Sequence, residues 1–156
     1  MQEVFLIDDR VDVKNLTWYC YHSRSIEAVK VTDRHVLSLS VDQTLVVYDR
    51  VAGREFKRIN IQGRGFTTDS LSLQDNSLYV GDSGGGLNLI DTSQDMFTLV
   101  NSYDIGLPFL QSVSAGLGSV VTAAMNGTVR VFQPDREMAL INNVQVLLRI
   151  VSAQSY

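Results

Sequence analysis

Cysteine is nearly absent. Cys20 stands alone, so no intrachain disulfide and no cysteine-rich zinc cluster can form. A reducing compartment is the expected setting, cytoplasmic first and nuclear as the alternative. No apolar run approaches the roughly 20 residues of a membrane-spanning helix. The acidic start, Met1 to Asp9, lacks the basic flank and long apolar stretch of a signal peptide. Between Gly65 and Val129 there is no Lys or Arg, against six Asp: Asp69, Asp75, Asp82, Asp91, Asp95 and Asp104. That stretch cannot supply the many cations a broad nucleic-acid surface requires. Sustained 3.6-residue periodicity is missing too, and β-branched residues occur throughout, which argues against helices.

What is present suits a packed domain. The 156 residues are 45% apolar and 19% charged with a net charge of −4, long and apolar enough to bury a core. The stretch Val36 to Asp49 reads as two short strands around a tight turn, and it recurs at a spacing of 42 residues, from Leu78 to Asp91 and from Val120 to Gln133. The turns are Asp42-Gln43, Ser83-Gly84-Gly85 and Asn126-Gly127, the last a strong hairpin signal of type I′, with φ > 0 at both central residues. A period in the low forties matches propeller blades of about 40–45 residues.

Each unit opens with an alternating strand: Ile26 to Val31, Thr68 to Leu73, Leu110 to Ala115. Alternation places Val29, Leu71 and Val113, with Val31, Leu73 and Ala115, on one buried layer. The second strand is the most apolar, as expected where neighbours cover both faces. More polar fourth strands follow at Arg54 to Asn60, Phe97 to Tyr103 and Met138 to Asn143, with outer-edge character. Residues 2–8 and 16–21 read as the last two strands of a preceding unit, and 144–151 as the start of another. The expected fold is all-β: four-stranded antiparallel sheets as β-propeller-type repeats in an incomplete ring of about three and a half blades. A partial blade covers 1–24, full blades cover 25–64, 65–106 and 107–144, and a further blade starts at 145–156.

The run Ser40-Val41-Asp42-Gln43-Thr44-Leu45-Val46-Val47-Tyr48-Asp49 resembles the end of a WD repeat, and Gly81 to Asp91 and Met125 to Gln133 resemble it more loosely. Tyr48, Ile90 and Phe132 stand where that family has Trp. The Gly-His pair before the first strand is missing, with His22 the one candidate for its role. The resemblance implies a non-catalytic scaffold for other proteins or peptides, docking on the face of the ring. Three and a half blades fall short of the 4 to 8 of a closed propeller, so a larger ring or head-to-tail self-association to about eight blades is expected.

The joining loops place Arg24, Arg64, Phe66 and Phe109 on one face as the candidate partner-binding set, since cationic and aromatic side chains on exposed loops suit peptide binding. Arg54, Lys57 and Arg58 form the one basic concentration, within 50–64, and offer a site for acidic peptide or, as a rival, nucleic acid. An enzymatic or small-molecule (sugar-binding) propeller is the other rival. It requires convergent acid, base or metal groups, and neither catalytic nor metal-ligating residues nor a cofactor motif emerges. Cys20 and His22 lack a third ligand. Ser83 to Gly86 precedes a strand and has no nearby Lys, so it reads as a hairpin rather than a phosphate loop. Asp42, Asp82 and Asp91 read as turn and strand-end residues that serve their own backbone.

Overall fold

The computed structural model describes residues 2–6, 17–67, 69–134 and 137–146, with 2–6 and 17–20 described as backbone only. Among the described residues the regular structure is β apart from a short 3-10 turn at Ser93–Asp95. A two-stranded hairpin pairs β1 (Gln2–Leu6) with β2 (Thr17–His22). Three four-stranded antiparallel sheets follow, each in simple up-and-down order. Blade 1 holds β3 (Ile26–Val31), β4 (His35–Ser40), β5 (Thr44–Asp49) and β6 (Arg54–Asn60). Blade 2 holds β7 (Leu71–Gln74), β8 (Ser77–Gly81), β9 (Gly86–Asp91) and β10 (Thr98–Asp104). Blade 3 holds β11 (Leu110–Gly116), β12 (Ser119–Ala124), β13 (Thr128–Gln133) and β14 (Ala139–Gln145). The ring is not closed.

Alternation along the strands explains why the sheets stack. The blade 1 side chains Leu37, Leu39, Leu45 and Val47 pack against Leu71, Leu78, Val80 and Ile90 of blade 2 in one core. The opposite face of blade 2, with Tyr79 and Leu87, meets Val113, Val120 and Phe132 of blade 3 in a second core. β4 has company on both sides and is buried along its whole length. β12 alternates between buried and half-buried because a blade covers only one of its faces.

Four expectations from the sequence need correction. Val29 and Val31 are 48% and 56% exposed, whereas the counterparts of Val29, Leu71 and Val113, are buried and those of Val31, Leu73 and Ala115, are half-buried. Among the described residues the hairpin before blade 1 supplies two strands, and none of them covers the inner strand of that face. The first strand of blade 2 starts at Leu71, and Asp69 makes an isolated parallel bridge to Ser112 instead. Val144 and Gln145 close β14 rather than opening a new unit, and the remainder of that expected unit, 147–156, lies outside the described residues. The repeated hairpin turns carry one left-handed residue each, Gln43, Gly85 and Gly127. Gln43 N–H donates to Ser40 C=O and Gly127 N–H to Ala124 C=O at 3.0 Å, a three-residue loop with a left-handed last position.

Candidate docking face

One face of the molecule is assembled from the turns between second and third strands and the loops that join blades. Ser83 N–H donates to Gly65 C=O at 2.8 Å, Phe109 N–H to Ser83 C=O at 2.7 Å and Met125 N–H to Phe109 C=O at 3.0 Å. This chain of backbone bonds fixes the loops of blades 2 and 3 against each other. Phe109 adopts φ +62° and leaves its ring 62% exposed, with exposed Met125 beside it. A non-glycine residue in that conformation carries strain of about 1–3 kcal/mol, so the surrounding bonds hold it there.

In blade 1 the same face contains a closed polar network. His22 Nε2 lies 2.8 Å from Ser38 Oγ, and its Nδ1 lies 3.2 Å from Asp42 Oδ2 and 3.0 Å from Thr44 Oγ1. Asp42 also accepts the Ser23 N–H at 2.8 Å and the Thr44 N–H at 3.0 Å. Burial would raise the Asp42 carboxyl. Hydrogen bonds from Thr44 and Ser23, with the nearby His22, outweigh it and hold the pKa at about 2. His22 thus takes the role for which it was the one candidate. Tyr48, in place of Trp, packs its ring 5.9 Å from that of Tyr21. The side chain of Cys20 lies outside the described residues.

Blade 2 has no such network. Counting 42 residues on, Arg64 replaces His22, Val80 replaces Ser38, and Gly84 and Gly86 replace Asp42 and Thr44. An open cleft of about 550 Å³ lies here, lined by Gln43, Gln62, Arg64, Asp82, Gly84 and Asp104 among others. In blade 3 the His22 counterpart is Gly106, and Arg130 reaches over to donate to Ile105 C=O.

The partner-binding residues expected from sequence are not all available. Arg24, Arg64 and Phe109 are exposed on the face just described. Phe66 is not: it is 7% exposed, and its ring sits beneath Gly63 in the core between blades 1 and 2, where burying an aromatic is more favourable than leaving it in water. Arg54 is exposed on β6, an outer strand. Its neighbours are engaged within the chain. Lys57 Nζ donates to Met96 C=O at 2.5 Å, and Arg58 pairs with Glu55 at 2.8 Å and donates to Tyr21 C=O at 2.7 Å. The features missed from sequence are Met125 and the blade 2 cleft. A comparison of the repeats at the His22 and Asp42 positions was the signal that could have found the cleft.

No protein-family model matches the chain. Over 134 residues, 85% of the chain, it is 31% identical to the F-box/WD repeat-containing protein 9 of Bos taurus and 30% identical to that of Homo sapiens. It spans 29% of the length of each. Among solved structures, the WD40 repeats of RRP9 superpose with a TM-score of 0.67 at 14% identity, over 81% of this chain and 40% of that one. The chain is a WD-repeat-like β-propeller. In this propeller the resemblance is strongest where blade 1 keeps Ser38, Asp42 and His22 together, and weakest in blades 2 and 3, where the corresponding side chains are gone. Among the described residues no group of three or more His, Cys, Asp or Glu is placed to hold a metal ion, and no helix is long and apolar enough to cross a membrane.

Proposed function

We infer that the propeller is a non-catalytic docking scaffold whose partner, a protein or peptide, lies across the loops of blades 2 and 3. The observation that carries this reading is Phe109, a phenyl ring held in water by a strained backbone beside Met125. An exposed aromatic costs solvation energy of about 2 kcal/mol that a partner's surface recovers. Fixed aromatic side chains are the anchors that dominate protein interfaces. Arg64, beside blade 2, and Arg24, farther off beside blade 1, are exposed on the same face and add positive charge to it.

The test is truncation. Phe109→Ala should weaken partner capture by about 30-fold or more, the effect of losing a hot spot of roughly 2 kcal/mol. Leu117→Ser, on the opposite face and fully exposed, serves as the control. Partners fixed by cross-linking in cells before purification would be compared for the two variants. Retention of every partner by Phe109→Ala would remove this reading.

Self-association belongs to the same proposal. The exposed Val29 and Val31 at one end, and half-buried Val121, Ala123, Val129 and Val131 at the other, repeat positions that bury against a neighbouring blade inside the molecule. A second copy arranged head to tail offers each end the surface it lacks.

A further inference from the structure

We propose that Asn126 is a self-modification site, where the chain's own backbone converts the side-chain amide to a carboxylate on the docking face. The chemistry stands apart from the docking reading, while its consequence for a partner rests on that reading. The repeats supply the comparison. At the same turn position blade 1 carries Asp42, blade 2 Gly84 and blade 3 Asn126, spaced 42 residues apart. Blade 3 thus holds the amide of the residue that blade 1 uses as an acid. Of the chain's asparagines, Asn126 is the one followed by glycine.

Asn126 is exposed at the tip of the β12–β13 hairpin. Its Oδ1 accepts the Thr128 N–H at 3.0 Å, which turns the amide back toward its own following peptide and draws electron density from Cγ. Blade 1 closes the same loop, with Asp42 Oδ1 accepting the Thr44 N–H at 3.0 Å. Gly127 has no Cβ to shield its nitrogen, and the fold keeps it so: φ is +79°, and an added Cβ would lie 2.5 Å from Val146 O. One bond opposes attack by that nitrogen, from Gly127 N–H to Ala124 C=O at 3.0 Å. It lies at an exposed hairpin tip, the kind of segment that opens locally at low free-energy cost.

A base from solvent takes the Gly127 amide proton as that bond opens, and the nitrogen attacks Asn126 Cγ. The new N–Cγ bond forms, the Cγ–Nδ2 bond breaks and ammonia leaves, which gives a five-membered succinimide. Water then adds to one of its two carbonyls. Cleavage of the new N–Cγ bond restores the main chain and leaves aspartate. Cleavage on the other side leaves isoaspartate, with the main chain routed through the side chain. Nothing is oxidised or reduced, and one water is consumed for each ammonia released. Aspartate can keep the Thr128 N–H, as Asp42 keeps that of Thr44, but the counterpart of His22 is Gly106, so no imidazole offsets the charge. That charge falls beside Met125, whose N–H donates to Phe109 C=O at 3.0 Å. Isoaspartate lengthens the main chain of the same turn.

The test is incubation of the folded full chain in mildly alkaline buffer, read by peptide mapping in a mass spectrometer. The mass gain of amide-to-acid conversion is expected at Asn126, rising with time and with pH, and isoaspartate should be detected there by enzymatic methylation. Asn76 and Asn143, exposed and followed by Ser77 and Val144, are controls within the same sample and should stay unchanged. Asn126→Gln should abolish the gain, because its longer side chain must close a six-membered ring. Circular dichroism checks that the chain stays folded throughout. An unmodified Asn126, a gain no faster than at Asn76 and Asn143, or a gain seen only in urea would overturn the proposal. The effect on docking has its own readout. Asn126→Asp carries the product charge from the start and should lose partners that the parent captures, since a charge beside the anchor must be desolvated. Capture equal to the parent's would overturn that consequence and leave the modification standing. Retention of every partner by Phe109→Ala removes only the docking reading.

Discussion

At the scale of single residues, the most consequential carboxylate is Asp42. Its folded pKa of about 2 lies below the ordinary 3.8. The sign follows directly: a depressed carboxyl adds stability that is complete above the unfolded value and is lost as pH falls toward the folded one. Stability owed to Asp42 should therefore be intact above about pH 4 and vanish by about pH 2. Asp42→Asn should cost roughly 1–3 kcal/mol at neutral pH, the value of hydrogen bonds to a charged acceptor. Urea midpoints of the two proteins across pH 2–7 should converge at the acid end, and parallel curves would refute the assignment. Asp49 and Asp91 are also held below the ordinary range, chiefly by the N–H groups of Ala52 and of Ser93 in the turns that follow them. Subtracting the variant's curve from that of the parent isolates Asp42 from these two. Much of this site could be read from sequence, because Ser40, Asp42 and Thr44 sit within one turn. The pairing of His22 with Ser38 could not. The two are 16 residues apart on different sheets, and only the stacking of the hairpin on blade 1 brings them together.

At the scale of elements, the repeat period settled which segments are strands, and β6 matches the expected span from Arg54 to Asn60. The failures lie where a neighbour, rather than the strand's own pattern, decides burial. Val29 alternates as Leu71 does, yet one is exposed and the other is core. Phe66 sits in a loop just after Gly63 and Gly65, which reads as exposed, but the blade 1–2 core takes its ring. The blade 2 hairpin offers a direct test of local fit. Gly86→Ala would drive a methyl to 2.1 Å from Asp82 Oδ2, whereas at Gly116 the nearest atom to an added methyl is Gln74 Oε1 at 3.8 Å. The first substitution should lower the melting temperature by several degrees, about 2–4 °C for each kcal/mol in a chain of this size. The second should change it by less than that. Equal losses would mean that Asp82 relaxes freely and that Gly86 is not required for its position.

At the scale of the whole molecule, two facts compete. The inner faces make well-packed cores, and Leu37→Ala, at a fully buried site between blades 1 and 2, should cost about 2–5 kcal/mol as judged by its urea midpoint. Among the described residues the ends have no such cover. Val121, Ala123, Val129 and Val131 stand 84 residues after Leu37, Leu39, Leu45 and Val47. They sit on the same side of blade 3 that blade 1 buries against blade 2, and they remain half-buried. Apolar sheet faces of that kind drive association unless covered. The incomplete ring was legible from the count of units; which residues would be left bare was not, because that depends on how far the leading hairpin reaches. Head-to-tail pairing predicts that the mass measured by light scattering on a sizing column exceeds that of one chain and rises with concentration. Val131→Glu places a charge in the middle of the blade 3 face, and desolvating it against a neighbour is costly. That variant should run as a single chain at concentrations where the parent does not, while Val51→Glu, in the exposed turn between β5 and β6 rather than on a sheet face, should behave as the parent. A parent that stays monomeric throughout, or a Val131→Glu mass equal to it, would leave the ends without a role in self-association.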